Sequence, residues 1–285
     1  MDKFLHMKKS FLYLLFFSLA FIISTPAYLN AQTTEPEVQE VVRNLSNIQS
    51  EYDSGFGFNV VMNNFGFGLG GEFRKVVAPS TEIMASLRVG GLRDASEQTF
   101  TDYFFGQQII PNKYQRAFAF PLLLGIRHRL FSNIIQEDYR FFLSASIGPV
   151  ASFSYPYFED NNNNGYREQF SNYFEPVNDI LSGWNQGDWH LGGTGEMKIG
   201  LDIGGNFARL NSIEFGYYFY YYPDGIQIMM PNQPVTQFNR ETGRQDFVVI
   251  TDPETGEQTL ELEPFFDAQK FFGSPQITFT FGWLW

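Results

Sequence analysis

Hydrophobic and polar residues alternate along eight segments of the 285-residue sequence. A period of two is typical of β-strands that have one apolar face and one polar or small face. The alternation is clearest in the last ten residues, where Ile277, Phe279, Phe281, Trp283 and Trp285 share one face. The eight segments predicted as strands are 55–63, 65–77, 81–92, 117–130, 139–155, 189–204, 212–222 and 276–285.

Charged residues in these segments fall on the face opposite the aromatic residues. By parity this inward face holds five acidic and six basic residues, although the whole chain has a net charge of −12. They are Glu72, Glu82, Glu196, Asp202, Glu214, Arg74, Arg88, Arg127, Arg129, Arg140 and Lys198. A soluble β-sandwich would bury apolar residues and expose charges, so the order is inverted here. We expect a paired, hydrogen-bonded charge network that fills the inside of a closed barrel.

The lengths of the connections predict how the strands are arranged. Three links are short, at 78–80, 131–138 and 205–211, and three are long, at 93–116, 156–188 and 223–273. Transmembrane barrels have short periplasmic turns and long extracellular loops. The sequence therefore predicts an all-β fold: a transmembrane up-and-down antiparallel β-barrel of eight strands with long extracellular loops, spanning residues 54–285.

A barrel of ten strands is the alternative. Segments 246–250 and 258–263 flank a stretch rich in turn-forming residues and could form another hairpin. A strand that crosses a bilayer needs about 9–11 residues, and both arms are shorter. We interpret them as an extracellular hairpin.

The first 31 residues have the pattern of a secretory signal peptide. Three lysines precede an apolar run at 11–23, which is too short to cross a bilayer of ~30 Å as a helix. Small residues predict cleavage after Ala27 or Ala31, and an uncleaved anchor is the alternative. Residues 32–53 are then a periplasmic segment, either a short helix at the mouth of the barrel or a disordered tether.

Composition argues against several functions. Residues 1–31 hold three lysines and one aspartate, so the remaining chain has 16 basic and 30 acidic residues, a net charge near −14. Nucleic-acid binding needs a positive footprint and is not expected. The sequence has no cysteine, which excludes a lipoprotein anchor, disulfides and thiolate catalysis.

Four features together point to a family: the leader, the eight alternating segments, the loop asymmetry and the terminal pattern of Phe279, Phe281, Trp283 and Trp285. Over residues 55–285 they resemble the small bacterial outer-membrane β-barrels of the OmpX and OmpA transmembrane-domain kind. The resemblance implies export to the bacterial outer membrane and a monomeric scaffold whose loops contact lipid, lipopolysaccharide, surfaces or a partner. It also implies that the terminal pattern is the assembly signal read by the barrel assembly machinery. No motif for one activity accompanies it.

The sequence that begins at Asp160 matches the start of a calcium-binding loop. Asp160, Asn162 and Asn164 would supply side-chain ligands, with Glu168 at the ninth position. The acid expected at the twelfth position is replaced by Ser171, so the predicted calcium affinity is weak. An asparagine-rich, solvated turn is the alternative. No other cofactor is predicted.

The last loop offers two further candidate surfaces. Its acidic residues could bridge divalent cations to lipopolysaccharide or meet a basic partner, or could keep a solvated hairpin from aggregating. They are Asp252, Glu254, Glu257, Glu261, Glu263 and Asp267. Its apolar residues could form an exposed ligand patch, or could pack the loop onto the barrel rim. They are Ile226, Ile228, Met229, Met230, Phe265, Phe266, Phe271 and Phe272.

The positions of the histidines indicate whether the chain could be a hydrolase of the serine–histidine–acid type. Some barrels of the resembled kind deacylate lipid A with serine, histidine and an acid on the lipid face. After residue 31 the chain has only His128, near the periplasmic end of its strand, and His190, which parity points inward. We therefore predict no catalytic residue and a structural or binding role. The alternatives are a narrow porin-like conduit for small solutes or hydrophobic ligands, and then a lipid A-modifying hydrolase.

Overall fold

The fold is a closed β-barrel of eight antiparallel strands. A computed structural model describes residues 52–102, 107–131, 139–170, 173–204, 209–251, 253, 256 and 258–285. The barrel strands are β1 (Ser54–Asn63), β2 (Gly66–Ala78), β3 (Thr81–Leu92), β4 (Gln115–Arg129), β5 (Tyr139–Pro156), β6 (Asp188–Ile203), β7 (Arg209–Ile226) and β8 (Gln269–Leu284). Each strand pairs with its neighbours in sequence, and β8 returns to β1. The predicted all-β, eight-stranded, up-and-down fold is confirmed.

Pairing between β1 and β8 closes the barrel. The two strands run antiparallel from Gly55 opposite Leu284 to Asn63 opposite Gln276. Beyond the last pair, the backbone N–H of Trp285 donates to the Ser54 carbonyl at 2.8 Å. Closure satisfies the backbone groups of both strands, which in hydrocarbon would otherwise cost several kcal/mol each.

The alternating sequence produces two chemically opposite surfaces. Outward side chains such as Phe67, Ile147 and Leu191 are 71%, 73% and 76% exposed. Inward side chains are mainly polar and buried. An apolar outside around a polar inside is the arrangement that a bilayer requires of a barrel. Trp283 and Trp285 are half-exposed at one end, where an aromatic girdle is expected.

The two ends of the barrel differ in their connections. The short-turn end has the links 79–80, 130–138 and 204–208. The long-loop end has the turn 64–65 and three loops, which we name loop A (93–114), loop B (157–187) and loop C (227–268). This asymmetry agrees with the predicted long loops on one side of the barrel.

Small hairpins and one helical turn extend the three loops. Loop A pairs Phe100–Asp102 with Gln107–Ile109, and loop B pairs Gln169–Phe170 with Tyr173–Phe174 and has a 3-10 turn at Trp184–Gln186. Loop C pairs Asn232–Pro234 with Leu262–Pro264, Thr236–Asn239 with Arg244–Phe247, and Val249–Thr251 with Gln258–Leu260. The last pair is a separate two-stranded sheet outside the barrel. The ten-stranded alternative is therefore wrong.

Two strand ends differ most from the prediction. Strand β8 begins at Gln269, seven residues before the predicted start at 276, and β7 continues to Ile226. Gly273 and Pro275 lie in the added part of β8, and both residue types are unfavourable in strands. The alternation of side chains continues through Gly273 and Pro275, but their low preference for strands obscures it in the sequence.

The first hairpin turn is Asn64-Phe65, one residue later than the paired asparagines suggest. Gly66 follows it with a φ of 117°, a backbone conformation that glycine adopts easily. Alternation alone would place Phe65 in lipid. Its ring instead packs at the long-loop mouth, with centroids 5.8 Å from Tyr218 and 6.5 Å from Phe272.

Several predictions about the start of the chain lie outside the described residues. These are the signal peptide at 1–31 and nearly all of the segment 32–53. Of that segment the structure describes Tyr52, which packs against Val76 and Leu284 at the short-turn end, and Asp53. The described ranges contain no helix that is long and apolar enough to cross a membrane.

Candidate functional site

The inside of the barrel contains the eleven predicted charged residues, which we call the interior charge cluster. All are buried, and they come from the six strands β2 to β7. Near the short-turn end, Arg127 donates to Asp202 at 2.5 Å and Arg129 donates to Glu82 at 2.8 Å. Arg140 donates to the Gly204 carbonyl at 2.7 Å. Burying charges is tolerable only when they are paired with opposite charges or hydrogen-bonded, and these contacts supply such partners.

Glu214 of β7 lies at the centre of the cluster. Its carboxylate is 2.6 Å from Lys198 Nζ, 3.7 Å from Arg127 and 3.8 Å from Arg74. Arg74 also donates to Glu72, two residues earlier in β2. One carboxylate thus faces cations from three other strands.

A second group of contacts surrounds Glu196, toward the long-loop end. Arg88 donates to both of its carboxylate oxygens, at 2.6 and 2.9 Å. Gln276 and Ser146 each donate to it at 2.9 Å. Bidentate arginine pairing is among the stronger charge-assisted hydrogen bonds. It joins β3 to β6 across the bore.

An aromatic ring inside the cluster was missed by charge-based reasoning. Phe142 is fully buried, and the Arg127 guanidinium carbon lies 3.2 Å from its ring centroid. A cation over an aromatic face is attracted by the ring quadrupole, more strongly where water is excluded. Parity places Phe142 on the inward face, between Arg140 and Ser144, and this pattern could have identified it as an interior residue.

Gly200 provides the space that Phe142 occupies. A Cβ atom there would lie 2.2 Å from Cζ of the ring. Gly200→Ala is therefore expected to displace the ring and lower the free energy of unfolding by about 1–3 kcal/mol, the usual cost of overpacking. Urea unfolding in lipid vesicles measures it. Gly193→Ala is the matched control, because a Cβ there meets no atom within 4 Å. Equal midpoints for the two variants would contradict this packing role.

Apolar residues fill the long-loop end of the barrel. Buried side chains from β3, β4, β5, β7 and β8 meet there, with Ile228 from loop C. They are Leu92, Ala117, Ala119, Val150, Tyr222, Ile226, Ile228 and Phe272, with Phe65 and Tyr220 packed against them. The bore thus changes from charged to apolar along its length.

The start of loop C covers this apolar core. The Ile228 carbonyl accepts the N–H groups of Tyr114 and Gln115, at 2.8 and 3.0 Å, and Met230 donates to the Asn112 carbonyl at 2.8 Å. Ile226 through Met230 includes the apolar residues considered for an exposed patch. Ile226, Ile228, Met229 and Met230 are 0%, 1%, 3% and 6% exposed, so this part packs onto the rim.

The remaining candidates lie in loop C and at the start of β8, and they differ in exposure. Phe272 is buried, whereas Phe265 and Phe271 are 39% and 53% exposed. Of the acidic residues, Glu263 accepts a hydrogen bond from Gln233 at 2.8 Å. Asp252, Glu254 and Glu257 lie outside the described residues.

The predicted calcium ligands of loop B lie together in one turn. Asp160 accepts the backbone N–H groups of Asn164 and Gly165, at 3.1 and 2.9 Å. Glu168 accepts the side-chain amides of Asn162 and Asn164, at 3.1 and 3.0 Å. These bonds stabilise the turn. Within the described ranges, no three acidic or histidine side chains converge as a metal would need.

Glu175 stabilises the same turn and was missed by sequence reasoning. It is buried and accepts the N–H groups of Asn161 and Glu168, at 3.2 and 2.9 Å. Burial raises the pKa of its carboxyl group. Ser171, at the twelfth position of the motif, lies outside the described residues. Calcium binding in loop B stays a prediction.

The two histidines have hydroxyl partners. His128 Nδ1 is 2.9 Å from Thr81 Oγ1, and His190 Nε2 is 2.9 Å from Ser154 Oγ. Ser154 is fully buried on the inner face of β5. A serine nucleophile must reach its substrate, so this pair lacks the access that acyl transfer requires.

No family profile and no curated protein matches the sequence. Among solved structures, the chain is similar to the N-terminal β-barrel domain of Pseudomonas aeruginosa OprF, with a TM-score of 0.30, 9% identity, and coverage of 80% of this chain and 96% of that one. It is also similar to Neisserial surface protein A (NspA), with a TM-score of 0.33, 6% identity, and coverage of 80% and 91%.

The strand number, strand order and closure of this chain are what confirm the predicted resemblance at the level of architecture. The chain is an eight-stranded up-and-down β-barrel with an apolar outside and a charged, filled inside.

Proposed function

We propose that this protein is a bacterial outer-membrane β-barrel with a structural or binding role that its long loops carry out. The filled interior supports this proposal most. Charged side chains from six strands pair inside the bore, and apolar residues pack the long-loop end. Little space is left for passage, because a barrel of eight strands is just wide enough for its side chains. Loops A, B and C are then the parts of the protein that contact partners.

The chemistry of each surface indicates its partner. The apolar outside fits outer-membrane lipid, and the loops fit lipopolysaccharide, another surface or a protein. The terminal strand with Phe279, Phe281, Trp283 and Trp285 fits recognition by the barrel assembly machinery during insertion. We propose a monomer, since one chain closes the barrel. The net charge of −12 disfavours nucleic acid.

Single-channel recording tests the filled interior. Refolded protein in a planar bilayer is expected to show no steady open-channel current, because the interior charge cluster blocks ion passage. Retained heat-modifiability on a gel shows that the sample is folded. A steady conducting state in folded protein would overturn the proposal in favour of the runner-up, a narrow conduit for small solutes or hydrophobic ligands. A lipid-modifying hydrolase ranks third, because Ser154 is inaccessible.

A further inference from the structure

The first hairpin is shorter than the strand beside it. Strand β1 ends at Asn63, opposite Gln276, whereas β8 begins seven residues earlier at Gln269. In the described part of the chain, residues 269–275 therefore pair with β7 alone. Loop A bridges the gap, because the N–H of Ala95 donates to Gln269 Oε1 at 3.0 Å.

These elements frame an opening in the side of the barrel wall, which we call the notch. The hairpin turn lies below it, the edge of β8 beside it, and the start of loop A above it. Its volume is about 480 Å³, within the usual range for small-molecule sites. Its lining includes Asn64, Phe65, Arg93, Asp94, Glu97 and Gln269. Tyr217 and Phe271, which are exposed on the outward face of the barrel, also line it.

The notch lies at the level of a membrane surface. Phe271 and Gly273 also line it, and Phe271 is twelve residues before Trp283 in the same chain segment. Twelve residues of a strand tilted by ~40° advance about 30 Å along the barrel axis. With Trp283 at the short-turn girdle, Phe271 reaches the opposite interface of a hydrophobic band about 25 Å tall.

Glu97 supplies the notch with a hydrogen-bond acceptor that lacks a donor. Its side chain is 3% exposed, and its Oε1 lies 2.8 Å from Lys113 Nζ and 3.3 Å from Arg93 Nε. Its other oxygen, Oε2, is buried and has no hydrogen-bond partner among the described residues. A buried carboxylate oxygen without a donor is costly. A ligand that brings hydroxyl donors would remove that cost.

An apolar trough meets the notch at Phe271. It lies on the lipid-facing side and is lined mainly by Ile147, Gly193, Phe219, Tyr221 and Phe271. Gly193 forms its floor, and the absence of a side chain there leaves open space. Polar groups at the interface and an apolar channel below them match the two halves of a lipid.

We propose that the notch and trough bind one glycolipid of the outer leaflet. Sugar hydroxyls of its headgroup donate to Glu97 Oε2, the aromatic ring of Phe65 flanks the sugar, and one acyl chain lies over Gly193. The inference rests on the proposed outer-membrane function and names a site and a ligand class for it.

Lipid retention measured by native mass spectrometry tests this site. The protein is refolded in phosphatidylethanolamine vesicles that also contain either deep-rough lipopolysaccharide or phosphatidylglycerol, and is released in mild detergent. One retained lipopolysaccharide per barrel is expected. Gly193→Leu fills the trough, Ala95→Trp fills the notch, and Glu97→Gln removes the charged acceptor. Each is expected to reduce retention at least tenfold.

Two controls match the bulk of the test variants. Ala85→Leu enlarges a residue of the lipid-facing side of β3, away from the trough, and Gln98→Trp enlarges an exposed residue of loop A outside the notch. Both should retain lipopolysaccharide as the unmodified protein does. Equal retention of phosphatidylglycerol, or no retained lipopolysaccharide, would overturn the proposal.

The experiment separates this inference from the proposed function. Lipopolysaccharide retention that no notch or trough variant changes would overturn the site, yet would leave loop-mediated binding intact. A conducting pore would overturn the proposed function without altering lipid retention.

Discussion

Replacement of Glu214 by glutamine is expected to lower the free energy of unfolding by about 3–5 kcal/mol, the usual cost of removing one partner from a buried ion pair. Glutamine keeps the shape of the side chain, removes its charge and replaces one acceptor oxygen by an NH2 donor. Lys198, Arg127 and Arg74 all lie within 3.8 Å of this carboxylate. These three cations would remain buried, and the interior charge cluster would then contain four acids and six bases. Urea unfolding in lipid vesicles measures the loss.

A second substitution distinguishes loss of charge balance from general damage. Adding Lys198→Met to Glu214→Gln removes a base together with the acid, so the double variant should be destabilised by less than the two single effects combined. Glu241→Gln, at an exposed position in loop C, should change stability by less than about 0.5 kcal/mol. A Glu214→Gln protein as stable as the unmodified one would show that the pairing in the bore contributes little.

Deletion of Trp283–Trp285 is expected to abolish most of the folded form. These residues close the barrel: Trp283 pairs with Phe56 on one side and Arg209 on the other, and Trp285 exchanges backbone hydrogen bonds with Ser54. Without them both neighbouring strands keep unpaired backbone groups at the membrane, which is costly. The folded fraction is read from heat-modifiability on a gel after refolding into vesicles.

The control for this deletion removes residues from the opposite end of the molecule. Deleting Arg240 and Glu241 leaves Thr242-Gly243 as a two-residue turn in a loop C hairpin, and glycine suits such a turn. That variant should fold normally. Normal folding of the protein without Trp283–Trp285 would mean that closure does not depend on these last pairs, and it would remove support for the assembly signal.

Inside and outside positions could be predicted from the sequence because strand side chains alternate whatever their partners are. Parity predicts Glu72, Glu196 and Lys198 inside and Phe67 outside, and in the structure the first three are buried and Phe67 is exposed. Strand ends were harder to predict, since Gly273 and Pro275 interrupt the residue preferences without ending β8. Packing of the loop residues onto the rim was one of two alternatives from the sequence, but their contacts were not predicted, because Ile228 bonds to Tyr114, which is distant in sequence.

The pairing of the interior charges could not be derived from the sequence either. Arg88 and Glu196 are 108 residues apart and come from strands on opposite sides of the bore. Their meeting depends on the stagger and tilt of the closed barrel, which alternation within a strand does not encode. The notch depends on a difference in length between neighbouring strands, so it too appears only in three dimensions.

The shared carboxylate of Glu214 has a consequence for how this protein can evolve. Barrels can enlarge by duplication of a hairpin, which widens the bore. Here widening would separate Glu214 from its three cations, which come from three other strands, and would remove one counter-charge from each of them. Gain of a hairpin would therefore have to be accompanied by several substitutions in different strands. We therefore expect the contacts of Glu214 across strands to constrain the strand number more than they constrain the lengths of loops A, B and C.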